Sequence, residues 1–253
     1  MRYVSRFFSI YVTRLLLPTN ITANQVSFAM VLTGMISTLF FLSSSKALFL
    51  TGAILLQFWY ILDCADGEVA RYRYLQKTGS GMKKESSVTG MYFDIINHYI
   101  VNLLAPAMLG LGLFYKTGVS LFAGMGIVAA LGQVLTLAMQ DARNRAILTY
   151  LREFSLIEVM KPPPADPSAP KKRKSLAQWA FAALHYTMTY PTVMNLIFVT
   201  AILDLVCPAI PWRWLSLSYL AVGSGIVTSI IIGRTITQGL LDKERQTQFR
   251  VSD

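Results

Sequence analysis

The sequence predicts an all-α membrane protein in which six transmembrane helices follow an amphipathic helix lying at the membrane interface. Three observations carry this expectation. Hydrophobic residues make up 54% and charged residues only 14% of the 253 positions, against about 25% charged in a soluble domain. Apolar stretches of the roughly 20 residues that a hydrocarbon core requires recur six times. Lysine and arginine fall almost entirely in alternate connections between those stretches, as the positive-inside rule demands.

The elements follow in order. Residues 2–16 alternate Arg with Phe, Tyr, Leu and Ile, the pattern of a helix that lies in the interface with its cations toward water. Pro18, Thr19 and Asn20 end this element, which occupies residues 1–20. Arg2, Arg6 and Arg14 are spread through it, so it does not read as a cleavable signal. The run Thr22-Ala23-Asn24-Gln25 opens the first span. The spans are expected at 25–43, 47–70, 91–114, 118–139, 188–207 and 214–240, each helical because lipid offers the backbone no hydrogen-bond partner. Residues 161–175, rich in Pro, Lys and Arg, read as a flexible basic linker. Lys171 to Lys174 suit anionic lipid or serve topology alone. The chain is read as a single domain, 1–253.

Orientation follows from charge. One set of short loops carries Lys46, Lys116 and Arg213, whereas nearly all the remaining Lys and Arg lie on the other side. Both termini are therefore expected to be cytoplasmic. A net charge of +10 on so apolar a chain points to an anionic membrane surface and not to nucleic acid. Cys64 and Cys207 lie far apart in apolar segments and form neither a disulfide framework nor a zinc motif.

Acidic residues inside spans are costly and usually functional. The second span ends I-L-D-C-A-D-G-E-V-A-R. Asp63 and Asp66 are three residues apart on one helix face, with Ala70 further along it. Gly67 allows a ligand close to the backbone, and Arg71 suits phosphate oxygens. The third span opens G-M-Y-F-D-I-I-N-H, where Gly90, Asp94 and His98 recur every four residues. Two such faces meeting would bring together three carboxylates and an imidazole at the cytoplasmic edge, a set suited to Mg²⁺ or Mn²⁺. Two ions there would clamp a diphosphate.

These residues resemble the signature of the CDP-alcohol phosphotransferase family. Asp63-x2-Asp66-Gly67-x2-Ala70-Arg71, a spacer, then Gly90-x3-Asp94 follow its pattern D-x2-D-G-x2-A-R … G-x3-D-x3-D, with His98 where the family has its last aspartate. The spacer Tyr72–Thr89 is longer than in many members and carries Lys83 and Lys84. The sequence likeness covers residues 63–98, and the topology fits the family over most of the chain.

The resemblance implies a membrane transferase of phospholipid biosynthesis. It moves a phosphate-containing group from a CDP-linked donor, with CDP-diacylglycerol the first candidate, to an alcohol, and it releases CMP. By the same resemblance Asp63, Asp66 and Asp94 are metal ligands, Gly67, Ala70 and Arg71 lie against the CDP moiety, and the protein is a homodimer. His98 inherits a position tied both to metal binding and to activation of the acceptor. An imidazole suits a general base at neutral pH, ligates metal when neutral, or is structural here.

Other residues carry weaker expectations. Arg143 and Arg145 are candidates for an acceptor phosphate, and the basic spacer leans the substrate toward an anionic one. Glu68 reads as a solvated or interfacial side chain, Asn97 as a helix-packing residue and His185 as interfacial. Asp204 lies remote from the site, and Trp212 and Trp214 form an interfacial belt. Two other classes fit less well. A metal-ion transporter would spread its acids through the membrane depth. A nucleotide- or lipid-binding protein without turnover would show further decay of the signature.

Overall fold

A computed structural model describes residues 2–78, 88–153 and 175–238 of the chain. Within them the protein is all-helical: α1 (Arg2–Leu16), α2 (Ala23–Phe40), α3 (Lys46–Thr78), α4 (Val88–Thr117), α5 (Ser120–Glu153), α6 (Leu176–Thr187), α7 (Tyr190–Val206) and α8 (Trp212–Gln238). Lys83, Lys84 and the linker 161–174 lie outside the described residues.

Five helices, α2, α3, α4, α5 and α8, are each long and apolar enough to cross a membrane. The fifth expected span, 188–207, differs from a straight helix. Its α7 has 17 residues, about 26 Å at 1.5 Å per residue, short of a hydrocarbon core of about 30 Å. It is preceded by α6, and the two helices meet at 69° across a break at 188–189. The break has a local cause. Pro191 has no N–H to give the carbonyl of Thr187, so α6 cannot run on. Thr189 takes an extended backbone (φ −71°, ψ 145°) and α7 restarts with Pro191 in its first turn, where that missing N–H costs nothing. The start of α6 is fixed by Ser175 and Gln178, which form a reciprocal capping box, as Thr22 and Gln25 do for α2.

Helix α3 packs against α1, α2 and α7, while α4 packs against α2, α5 and α8. The contacts rely on small residues, as expected where no hydrophobic effect drives helices together. Gly110 of α4 faces Gly126 of α5 so closely that a Cβ on Gly110 would stand 2.6 Å from the Phe122 carbonyl. Gly132 of α5 abuts Ser224 of α8, and the Thr228 hydroxyl donates to the Gly132 carbonyl at 3.1 Å. Ser37 of α2 likewise donates to the Gly52 carbonyl of α3 at 2.8 Å. The core between these helices holds Trp59, Phe49, Leu56, Leu109, Ile197 and Leu217, all essentially inaccessible.

The interfacial helix α1 is fastened to α3 at two points. Glu68 accepts from the hydroxyls of Ser9 (2.9 Å) and Thr13 (2.7 Å). One turn on, Arg73 donates to the Thr19 carbonyl at 2.9 Å. Of the two expectations for Glu68, solvated or interfacial, the second fits: the two hydroxyls of α1 repeat every four residues and meet it on one face. The other face of α1 exposes Phe7, Phe8, Ile10, Tyr11 and Leu15.

At the far end of α7, Arg213 and Asp204 form a buried ion pair (Nη2 to Oδ2, 2.8 Å). Arg213 also donates to the Ser43 carbonyl at 3.0 Å and lies over the Phe49 ring, 4.2 Å from its centroid. The pair satisfies backbone carbonyls freed beyond the end of α2. Asp204 lies 14 residues along α7 from Tyr190, roughly 21 Å, so it is remote from the carboxylates of α3 and α4, as expected.

Candidate metal centre and cavity

Asp63 of α3 and Asp94 and His98 of α4 meet. One ligand atom from each lies within 4.8 Å of the others. His98 Nε2 is 3.4 Å from an oxygen of Asp63 and 3.4 Å from Oδ1 of Asp94. Both separations exceed the 2.7–2.9 Å typical of a charge-assisted hydrogen bond, so the three groups face a common point and are not locked together. Exposure rises across the group, from 19% for the Asp63 side chain through 27% for His98 to 46% for Asp94.

Asp94 Oδ1 supplies the test of whether this set fits a cation. It is buried, and beyond the long approach of His98 Nε2 at 3.4 Å it has no donor among the described residues. A buried carboxylate oxygen so weakly paired is costly, and a divalent cation would satisfy it. Two carboxylates and an imidazole suit Mg²⁺, Mn²⁺ or a somewhat softer ion.

Asp66 does not join this group. Its Oδ2 accepts from the Ser27 hydroxyl of α2 at 2.9 Å. Of the expected three carboxylates and an imidazole, Asp63, Asp94 and His98 meet, and Asp66 is turned toward a neighbouring helix. Helical spacing put Asp63 and Asp66 on one face, but three residues amount to about 300° of rotation, enough for the second side chain to find α2.

Gly67 and Arg71 lie together on α3. A Cβ on Gly67 would lie 3.6 Å from Arg71 Nη1, so the guanidinium stands over the bare backbone of Gly67. Ala70 is exposed beside it. Arg143 and Arg145 are exposed residues of α5 and do not line the cavity described next.

The Asp63 and His98 side chains form part of the wall of a cavity of about 390 Å³. The wall continues through Tyr60, Tyr99, Gln140, Asp141, His185 and Tyr190. Tyr99 donates to Asp141 Oδ2 at 2.8 Å, tying α4 to α5. His185, expected to be merely interfacial, is brought to the cavity by the bend between α6 and α7.

Two residues that sequence reading did not assign to the site hold His98 in place. Trp59, fully buried, stands edge-on to the imidazole with centroids 5.1 Å apart, and its indole N–H donates to Asn97 Oδ1 at 3.3 Å. Asn97 is thus a helix-packing residue, as expected. Tyr190 faces both rings, at 5.1 Å from Trp59 and 5.9 Å from His98, and its hydroxyl is buried without a hydrogen-bond partner among the described residues. Trp59 lies four residues before Asp63, so the helix period alone placed it on the site's face. Tyr190 had no such signal, because the bend that carries it was not foreseen.

No protein-family model matches the chain, and no curated protein matches it.

Proposed function

We propose that the protein is a divalent-cation-dependent transferase of the CDP-alcohol phosphotransferase type, embedded in the membrane with its site and both termini on the cytoplasmic side. The observation that carries this reading is the meeting of Asp63, Asp94 and His98 on the two helices that bear the signature, beside a cavity large enough for a small alcohol. The charge asymmetry of the loops supports the orientation.

Asp63 and Asp94 would hold the cation, which when bound neutralises and polarises phosphoryl oxygens. Arg71 over Gly67 is placed to meet the phosphates of the nucleotide. In the reaction the oxygen of an alcohol attacks the phosphorus distal to the cytidine. The bond from that phosphorus to the bridging oxygen breaks, and CMP leaves with the bonding electron pair. The hydroxyl proton passes to a base, and His98 is the group we assign, because its imidazole lines the cavity in which the alcohol would sit.

The convergence of His98 Nε2 with two carboxylate oxygens favours a second role for the same residue, as a metal ligand. A nitrogen that ligates cannot also take the proton, so the two roles separate on His98→Ala. A lost base lowers kcat and leaves the affinity for Mn²⁺ alone. A lost ligand lowers that affinity.

The reading is tested by CMP release from CDP-linked donors with Mg²⁺ or Mn²⁺ and a panel of alcohols. Metal-dependent release that Asp63→Ala and Asp94→Ala abolish supports it. A protein that binds no CDP-linked donor in the presence of metal ends it.

A further inference from the structure

The cavity beside Asp63 and His98 is far from uniform, and its lining bears on what the alcohol is. Its charged members among the described residues are Asp63 and Asp141, with the imidazoles of His98 and His185, and neither lysine nor arginine lines it. Arg234, whose guanidinium lies over the Phe181 ring at 4.4 Å, is outside the lining. A phosphorylated alcohol would bring negative charge toward the Asp141 carboxylate with no lysine or arginine of the lining to offset it.

The neutral polar groups are largely committed to the protein. The Asn102 amide donates to the His98 carbonyl at 2.7 Å. The Thr136 hydroxyl donates to the Gly132 carbonyl at 2.9 Å, and the Gln133 amide is buried with its nitrogen 4.0 Å from the Met188 sulfur. Beside the exposed Gln140 amide, two acceptors bear on the charge of the ligand. Asp141 is exposed and accepts from Tyr99 through Oδ2. The Tyr190 hydroxyl is buried and unpartnered among the described residues. Three tyrosine rings, Tyr60, Tyr99 and Tyr190, share the wall. A carboxylate, an open hydroxyl oxygen and aromatic faces together select a donor-rich cation.

We infer that this cavity takes an amino alcohol, its hydroxyl toward Asp63 and His98 and its ammonium toward Asp141 and the tyrosines. The inference rests on the transfer reading above and replaces the anionic substrate suggested by the basic spacer. In a free amino alcohol that hydroxyl is the attacking group; in a CDP-linked one its oxygen is already bonded to the distal phosphorus, the hydroxyl of a lipid attacks, and CMP leaves in either case.

The test uses the full-length protein in phospholipid nanodiscs with Mg²⁺ and reads CMP release. One arm supplies CDP-diacylglycerol with 2-aminoethanol, glycerol or glycerol 3-phosphate. The other supplies diacylglycerol with CDP-ethanolamine or CDP-glycerol. The amino compound is expected to exceed its glycerol counterpart, and glycerol 3-phosphate by about tenfold or more; the arm that runs identifies the source. Asp141→Asn, which keeps an oxygen for the Tyr99 hydroxyl, should lower the ratio of kcat/KM for the amino compound over the glycerol compound about tenfold. A folding defect would scale both compounds alike and leave that ratio unmoved. Preference for glycerol 3-phosphate, an unmoved ratio, or donor binding without CMP release in any arm overturns the inference and spares the family reading. Failure to bind any CDP-linked donor overturns both.

Discussion

Trp59 and His98 meet edge to face, their ring centroids 5.1 Å apart and their planes at 87°. The indole reaches the imidazole from α3 while its N–H holds Asn97, the residue that precedes His98 on α4. One side chain thereby fixes both the register of the two site helices and the direction of the imidazole. Trp59→Phe keeps much of the ring contact but leaves the Asn97 carbonyl oxygen buried without its donor, a loss of about 1–3 kcal/mol. Trp59→Ala adds a cavity and should cost about 3–5 kcal/mol. Denaturant unfolding in a single detergent would measure both, and a Trp59→Phe variant as stable as the wild type would remove the Asn97 hydrogen bond from the account.

The carboxylates divide by partner, and so should their effects on metal. Asp63 and Asp94 face His98, whereas Asp66 is engaged by Ser27. Mn²⁺ binding, followed calorimetrically without substrate, should weaken about 10- to 100-fold or more in Asp63→Asn and Asp94→Asn. Asp66→Asn should weaken it less than either. Equal losses at all three positions would mean that Asp66 leaves Ser27 when the cation arrives.

Glu68 joins α1 to the bundle through Ser9 and Thr13. Glu68→Ala removes both hydrogen bonds and leaves the two hydroxyls facing apolar surface. Hydrogen bonds to a charged acceptor are each worth about 1.5–3 kcal/mol when buried, and less here because Glu68 is partly exposed. Amide exchange should therefore quicken across residues 5–16 while α4 and α5 stay protected. Unchanged exchange in α1 would show that its apolar face in lipid, and not Glu68, holds it down.

Sequence reading reached the helices and most of the site because both are written in local spacing. Long apolar runs fix spans, and Asp63, Asp94 and His98 sit at helical intervals that put them on facing surfaces. What it missed depends on contacts distant in sequence. Ser9, Thr13 and Ser27 look unremarkable until α1 and α2 bring them to Glu68 and Asp66. The cavity wall at His185 and Tyr190 exists because Pro191 breaks a helix that hydropathy alone draws straight. The turn of Asp66 toward Ser27 was hidden for a related reason, since a shared helix face does not decide which neighbour a side chain chooses.

Arg213 and Asp204 form a buried pair remote from the cavity, which makes them a control for stability without chemistry. Arg213→Met strands the Asp204 carboxylate and the Ser43 carbonyl, and breaking such a pair costs about 3–5 kcal/mol. Thermal unfolding should fall accordingly, and adding Asp204→Leu should recover a large part of the loss. CMP release per folded molecule should stay at the wild-type level. If the double variant were no more stable than Arg213→Met, the loss would lie with the Ser43 carbonyl and not with the carboxylate.

Gly67 separates folding from ligand binding most cleanly. Within the protein an added Cβ meets nothing closer than Arg71 Nη1 at 3.6 Å, an ordinary contact with the tip of a flexible side chain. Gly67 lies in the middle of the long helix α3, where alanine is favoured over glycine by about 1 kcal/mol. Gly67→Ala should therefore fold at least as well as the wild type. If a nucleotide diphosphate lies against the backbone at Gly67 under Arg71, the same methyl group occupies its place, and KM for the CDP-linked donor should rise about tenfold or more, a penalty of roughly 1.4 kcal/mol or above. Raised stability with weakened donor binding is the expected pair of results. Raised stability with wild-type KM would move the nucleotide away from Gly67 and leave Arg71 without the role proposed for it.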